Sequence, residues 1–343
     1  IVSLLGLAFL LFLAGLEIDV HQLRGRVLRL ALLGYAATLV LGIAVGAGLD
    51  AAGWVGSPGL VAVTLSATSL GLVVPVLKDA GQVDTRLGQT VVAAASVADF
   101  AAIVLLSLLF SASDTTTGSR LVLLVSFAAL VAATAVAATL VARSRRLTMT
   151  LTRLQDTTAQ IRVRAAVVLL VAFVALAEQF GLETILGAFM AGAVVGLVDR
   201  DSESHPNFRT KLEAIGYGFL IPVFFVSSGL RLDLSGLMEN PGALARVPVF
   251  VVALVVVRGL PALLFGGIFD RRSVLAAGLL QATSLPFIVT ATQIGVLTGL
   301  LSGVTAAAMV CAGLLSVILF PVASLALLRT AQRPRGAAVG RLS

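Results

Sequence analysis

Charge is scarce in this chain of 343 residues: Lys and Arg number 24, Asp and Glu 17, and together they make 12% of the sequence against 59% that is apolar. At a mean hydropathy of +1.07, no water-soluble fold has enough polar surface to cover so much hydrocarbon, and lipid is the expected solvent. The isoelectric point near 10.9 does not point to nucleic acid, because that reading needs a basic patch on a soluble domain and the sequence offers none. Cysteine occurs once, as Cys311 in an apolar run. That excludes a disulfide framework and a thiolate metal site and leaves helix packing as its role. Histidine is limited to His21 and His205, both in loops, so the His-Glu-x-x-His motif of an intramembrane metalloprotease is absent. Aspartyl catalysis needs two acids, and only one lies deep in a span. An enzyme is therefore not expected, and neither is a cofactor. The chain opens at Ile1 inside an apolar run, without the charged flank of a signal peptide, and is expected to continue upstream.

What is abundant is apolar sequence in runs long enough to cross a bilayer, which takes roughly 20 residues. Eleven candidate spans cover about 1–17, 29–49, 59–77, 87–111, 121–142, 164–178, 184–198, 214–230, 247–269, 274–296 and 303–328. The last two divide one uncharged stretch, 273–328, at Thr298-Gly299. If the loop after the first span is cytoplasmic, every Lys and Arg falls inside except Arg120, Arg231, Arg246 and the deeply placed Arg258. The inside set includes Arg24, Arg26 and Arg29, the cluster Arg143, Arg145, Arg146, Arg153, Arg162 and Arg164, and the tail Arg329, Arg333, Arg335 and Arg341. That asymmetry is what the positive-inside rule demands of a correct count, and it accounts for the basic isoelectric point.

The sequence also repeats itself. Gly15-Leu16-Glu17-Ile18-Asp19 closes the first span and Gly229-Leu230-Arg231-Leu232-Asp233 the eighth; Ala67-Thr68-Ser69-Leu70 lies in the third and Ala282-Thr283-Ser284-Leu285 in the tenth. The offsets are 214 and 215 residues. Each pair is an odd number of spans apart, so the copies would face opposite ways, as in the inverted-topology repeats of secondary transporters. In such folds the binding site lies where discontinuous helices of the two repeats meet near the midplane. The third span carries Thr64, Ser66, Thr68, Ser69, Gly71 and Pro75, and the tenth Thr283, Ser284, Pro286, Thr290 and Thr292. Both are rich in hydroxyls and in helix-weakening residues, and two broken helices are expected there. The alternative is that the hydroxyls bond back to their own helices and the prolines only kink them.

Of the seventeen acids, only Asp99 lies near the centre of a span, and of the bases only Arg258. A charge at that depth costs about 2.5–3.5 kcal/mol on insertion scales, so such residues mark a transport pathway by default. The bland account is a structural Asp99–Arg258 ion pair. Glu17, Asp19 and Arg231 end spans, Glu178 and Glu183 bracket a short external turn, and Gly187, Gly192 and Gly196 have the spacing of close helix packing.

With these residues laid out, the chain resembles the monovalent cation:proton antiporter superfamily, in particular the sodium/hydrogen exchanger domain of Kef-like and Nap-like proteins. The resemblance runs from Leu5 to about Leu328, on Leu10-Leu11-Phe12-Leu13-Ala14-Gly15-Leu16-Glu17, Gly187-Ala188-Phe189-Met190-Ala191-Gly192 and Ile221-Pro222-Val223-Phe224-Phe225-Val226. It implies an all-α polytopic membrane protein of about eleven helices, a homodimer with inverted five-helix repeats and two crossed, unwound helices, here the third and tenth spans. The family's essential carboxylate matches Asp99, and its membrane Lys or Arg matches Arg258. Three departures stand out. Ala98 replaces the Asp, Asn or Gln that usually precedes the carboxylate. Gln281-Ala282-Thr283-Ser284-Leu285-Pro286 stands where Kef-like members often carry an acid. Two further helices usually precede the first span seen here.

The expectation is an antiporter domain over 1–328, missing one or two leading helices, and a basic cytoplasmic tail over 329–343, in the bacterial plasma membrane. Its partners would be a monovalent cation (Na+ or K+), H+ and lipid, with no nucleic acid. Deprotonated Asp99 would hold the transported cation, with Thr68, Ser69 and Ser96 completing an oxygen shell and Arg258 as charge partner; protonation would release it. Thr283, Ser284 and Pro286 would form the second discontinuous region. The rival readings are another inverted-repeat carrier, such as a sodium-coupled organic-anion symporter, and a sensor domain that transports nothing.

Overall fold

The structure, a computed structural model, describes residues 2–17, 25–110, 117–142, 160–199 and 206–331. Ile18, Asp19, His21, Arg24, His205, the basic cluster from Arg143 to Arg153 and the tail beyond Ala331 lie outside the described residues. Among the described residues the only regular elements are helices. They are α1 (Val2–Leu16), α2 (Gly25–Ala51), α3 (Pro58–Ser66), α4 (Leu70–Asp79), α5 (Arg86–Phe110), α6 (Thr117–Ala142), α7 (Ile161–Gln179), α8 (Thr184–Val198), α9 (Pro206–Ile215) and α10 (Ile221–Leu230). The short α11 (Leu234–Glu239) and α12 (Pro241–Leu244) follow, then α13 (Arg246–Leu254), α14 (Arg271–Ala282), α15 (Pro286–Leu297) and α16 (Gly303–Ala331).

Each of the eleven apolar stretches has a helix or a pair of helices at its place. Among the described residues six helical spans are long and apolar enough to cross a membrane, and the bent pair α14–α15 makes a seventh. Val2–Leu16, Leu121–Thr134 and Thr184–Val198 are apolar but shorter. The division of 273–328 falls where the sequence placed it: α15 ends at Leu297 with Thr298 as its C-cap, and Gly299 turns the chain at φ +73°, a conformation that glycine adopts without steric cost.

Two helices change register for a reason written in the sequence. The segment Val255–Gly259 is a π turn in which the Leu260 N–H donates to the Val255 carbonyl, and Pro261 follows. In α-register the Val257 carbonyl would look to the nitrogen of Pro261, which carries no proton, and widening the turn is one way to absorb that loss. A 3-10 segment, Leu260–Gly267, completes the span. The same sequence of events joins α9 to α10. Gly216–Leu220 is a π turn, the Ile221 N–H donates to the Gly216 carbonyl, and Pro222 follows.

The chain forms two compact units, Ile1–His21 with Phe100–Leu232, and Gln22–Asp99 with Asp233–Ser343. In the first, α1 packs on α8 and α10, and α8 packs on α6 and α7. The close packing expected of the glycines is present: a methyl group on Gly192 would run into the Phe12 carbonyl oxygen, and one on Gly187 into that of Phe173. In the second, α14 packs on α16 and on the π and 3-10 turns, α2 packs on α3, and α3 packs on α15. Its apolar centre includes Val73, Leu77, Val91, Phe265, Ala277 and Leu280. The candidate site lies wholly within this second unit.

Candidate functional site

The third span is interrupted after Ser66. Ala67 caps α3 in an extended conformation (φ −80°, ψ 157°), and α4 restarts at Leu70 with Ser69 as its N-cap, whose side chain makes no capping bond. The cap is supplied from elsewhere. Asp99, on α5 and 8% exposed, accepts the main-chain N–H of Thr68 on Oδ1 at 2.9 Å and that of Leu70 on Oδ2 at 3.4 Å. The carboxylate thus stands at the N-terminus of α4, where amides are orphaned and the helix dipole favours negative charge. Hydrogen bonds to a charged group contribute about 1.5–3 kcal/mol each, the same order as the cost of placing a charge at that depth. The break and the buried acid therefore stabilise one another. Pro75 is not the cause of the interruption; it lies inside α4.

The tenth span breaks at the repeat-related position. Thr283 caps α14 in an extended conformation, Pro286 begins α15, and the two helices are bent by 40°. The breaks are joined directly. The Ser69 N–H donates to the Thr283 carbonyl at 2.8 Å, and the Thr68 hydroxyl donates to the Gln281 carbonyl at 2.7 Å. α16 braces the second break through Ser316, whose Oγ accepts the Ser284 N–H at 3.2 Å and bonds the Ser284 carbonyl at 3.1 Å.

Arg258, in the π turn and 1% exposed, makes no direct bond to Asp99 among the described residues, so the structural ion pair does not form. Its guanidinium donates instead in three directions. Nε reaches Thr68 Oγ1 at 2.8 Å, one terminal nitrogen reaches Thr38 Oγ1 at 3.4 Å, and the other reaches the Ala94 carbonyl at 3.1 Å. Thr68 is therefore the link: its amide holds Asp99, and its hydroxyl accepts from Arg258 while donating to the second break. A hydroxyl has one proton and two lone pairs, so one lone pair of Thr68 Oγ1 remains uncommitted.

The structure brings together Asp99, Thr68, Ser69, Arg258 and Thr283. Ser96 sits three residues before Asp99 on the same helical face, but its hydroxyl bonds back to the Val92 carbonyl at 2.9 Å. The hydroxyl of Thr283 likewise bonds back to the Leu279 carbonyl at 3.1 Å. Sequence reasoning missed the polar face of α2: Thr38 takes part in anchoring Arg258, and the Tyr35 hydroxyl meets Ser66 Oγ at 3.1 Å, at the last residue of α3. The signal was a Tyr and a Thr three residues apart in an otherwise apolar span. Gln281 and Ser316 were missed as well.

Outside the spans, burial raises the Glu183 carboxyl above its ordinary range, and the Glu183 N–H donates to Ser107 Oγ at 3.0 Å. Among the described residues there is no group of three or more His, Cys, Asp or Glu side chains that could hold a metal ion.

Comparison with known proteins gives a consistent result. Residues 1–328 match the family model described as sodium/hydrogen exchanger, transmembrane. YjbQ of Bacillus subtilis, by name a candidate Na+/H+ antiporter, is 30% identical over 346 residues, covering 97% of this chain and 55% of its own length. GerN of Bacillus cereus, a Na+/H+-K+ antiporter by name, is 28% identical over 315 residues, covering 88% of this chain and 76% of its own. Among solved structures, the sodium proton antiporter MjNhaP1 of Methanocaldococcus jannaschii superposes with a TM-score of 0.65 over 95% of this chain and 84% of that one, at 17% identity. That likeness establishes a shared all-helical membrane fold.

Proposed function

The chain belongs to the transmembrane sodium/hydrogen exchanger family, and we propose that it is a secondary antiporter in which a monovalent cation, Na+ or K+, and a proton compete for Asp99. The observation that carries this reading is the position of that carboxylate, buried and held by two main-chain amides at the interruption of a membrane helix. Each carboxylate oxygen accepts one N–H and has about one more lone-pair site. Those sites take either a proton or a dehydrated alkali ion, which favours oxygen ligands. The remaining lone pair of Thr68 Oγ1 and the hydroxyl of Ser69 are candidates to complete the shell.

Arg258 is bonded in this reading to Thr68 and not directly to Asp99. It ties Thr68, and with it the first break, to α2 and α5, so that the carboxylate meets the same two amides in each cycle. Access alternates as the repeat-built core moves, which the paired breaks support. A homodimer in the bacterial plasma membrane with a cytoplasmic tail is the assembly the resemblance implies.

The test is reconstitution of the full-length protein into proteoliposomes loaded with a pH-sensitive dye, with Na+, K+ and Li+ added separately. Collapse of an imposed pH gradient on adding at least one cation, dependent on Asp99, is expected. Absence of collapse with all three overturns the reading.

A further inference from the structure

Several main-chain polar groups around the second break have partners. The Gln281 carbonyl receives the Thr68 hydroxyl, the Thr283 carbonyl receives the Ser69 N–H, the Ser284 N–H donates to Ser316 Oγ, and the single proton of that Ser316 hydroxyl is shared between the Ser284 and Gly313 carbonyls. Two side-chain atoms at the same place have none. Gln281, 2% exposed, has no partner for Nε2, and Ser284, 0% exposed, has none for Oγ, among the described residues. A buried polar group without a partner is destabilising, and apolar residues of similar size would avoid it. These two are expected to meet a ligand that is small enough to enter a packed interior.

We infer that the transported cation is shared between the two breaks, and that the Gln281 carboxamide oxygen and the Ser284 hydroxyl are its ligands on the second, with Gln281 setting which alkali cation is preferred. The inference rests on the exchange reading above. The two ends of a carboxamide are told apart only by their partners, and an unpartnered Nε2 leaves nothing to fix which end faces inward. With the oxygen inward, Gln281 and Ser284 present two neutral oxygens, the ligand type that hard cations select. Both belong to the unit that holds Asp99, and Gln281 is tied by its own carbonyl to Thr68, whose amide holds the carboxylate. Neutral ligands also bind a monovalent ion without adding a second titrating group.

The experiment compares wild type, Gln281→Leu, Ser284→Ala and Asp99→Asn in proteoliposomes, reading initial rates against Na+, K+ and Li+ concentration. Gln281→Leu is expected to raise the half-saturating cation concentration about tenfold, with the maximal rate little changed and the ratio among the three cations altered. Ser284→Ala shifts affinity in the same direction by less. Unchanged affinity and unchanged cation ranking in Gln281→Leu overturn the inference, whether a trapped water or nothing fills the place. Should Gln281→Leu fail to fold, Gln281→Asn is read by cation-dependent thermal stabilisation in detergent. Wild type shows a rise in Tm on adding cation that the variant loses, and an equal rise in both overturns the inference. Asp99→Asn separates the two levels. If it is inactive while Gln281→Leu matches wild type, only this inference fails; if it exchanges like wild type, the exchange reading fails and the inference with it.

Discussion

The N–H of Ser69 donates to the carbonyl oxygen of Thr283 at 2.8 Å, joining two helix interruptions that lie in repeat-related tetrapeptides, Ala67–Leu70 and Ala282–Leu285. Several main-chain groups released by the breaks find partners in the other break or in a side chain aimed at them. The site is thus held by backbone geometry, with a few side chains as linchpins, and the consequences of removing each can be ordered.

Asp99→Asn should abolish cation-coupled proton movement and leave the protein folded. The amide oxygen still accepts the Thr68 N–H, while its NH2 is set against the Leu70 N–H, so one of two capping bonds survives. Exchange in proteoliposomes is expected to fall to the background of protein-free vesicles, with a monodisperse gel-filtration peak and unchanged helical content by circular dichroism. Glu178→Gln, in the last turn of α7, is expected to retain most of the activity. Exchange by Asp99→Asn at a substantial fraction of wild type would remove Asp99 from the mechanism.

Thr68→Val should harm stability more than Thr38→Val, and Thr68→Ser should be close to wild type. Valine at 68 deletes both the bond to Gln281 and the bond from Arg258, one of them to a charged group, and a loss of about 2–4 kcal/mol follows from the usual worth of such bonds. The Thr38 contact is long at 3.4 Å and its loss should cost less than about 1 kcal/mol. Arg258→Lys is expected to resemble Thr68→Val, because an ammonium cannot reproduce a fork that donates from three nitrogens. Thermal unfolding in detergent ranks the four. A larger effect at Thr38 than at Thr68 would place the anchor of Arg258 on α2 instead.

Much of this was legible in the sequence, and the boundary between what was and was not is physical. Apolar length located each helical stretch, the repeat located both breaks, and Pro286 marked where α15 begins. Pro75 suggests a break of its own in the third span, yet that residue sits inside α4; the interruption lies at 67–69, opposite a carboxylate 29–31 residues away. No local propensity encodes that partner. The π turns before Pro222 and Pro261 follow from the missing N–H of each proline, and one of them carries Arg258. Depth in the span singled out Asp99 and Arg258, but whether two buried charges meet or share a third residue depends on tertiary distance, which the sequence does not print.

A local pH dependence is expected at the start of α14. Asp270 is the N-cap of that helix, and its carboxyl is held below the ordinary range by the Ser273 hydroxyl first, then by the main-chain N–H groups of Ser273 and Arg272. A carboxyl lowered in the folded state stabilises it above the unfolded value, about 3.9, and this contribution is lost as pH falls through the lower folded value. Asp270→Ala should cost about 1 kcal/mol at neutral pH. The Tm difference between wild type and Asp270→Ala should narrow on acidification below about pH 4. A gap that widens there would contradict the cap.

The last prediction concerns the charge moved in each cycle. Ala98, fully buried, stands beside Asp99 and cannot titrate, so the proposed site has one carboxylate that cycles. It carries either a cation or a proton, and the two loaded states have the same net charge. Arg258 does not alter that sum, because a guanidinium remains protonated throughout. Gln281 and Ser284, if they are ligands, contribute neutral oxygens. Exchange should therefore be one cation for one proton, with no net charge crossing the membrane. The measurement is Na+-driven proton movement in proteoliposomes, with the membrane potential clamped at several values by potassium and valinomycin. The rate should be nearly independent of potential, and the reversal point should sit where the sodium and proton gradients are equal. Gln281→Glu sharpens the test, since a second carboxylate at the breaks could carry an additional proton. If that variant becomes potential-dependent while wild type does not, the neutrality of the natural site follows from its single acid. A wild-type rate that climbs steeply with potential would require a second titrating group in the transport cycle.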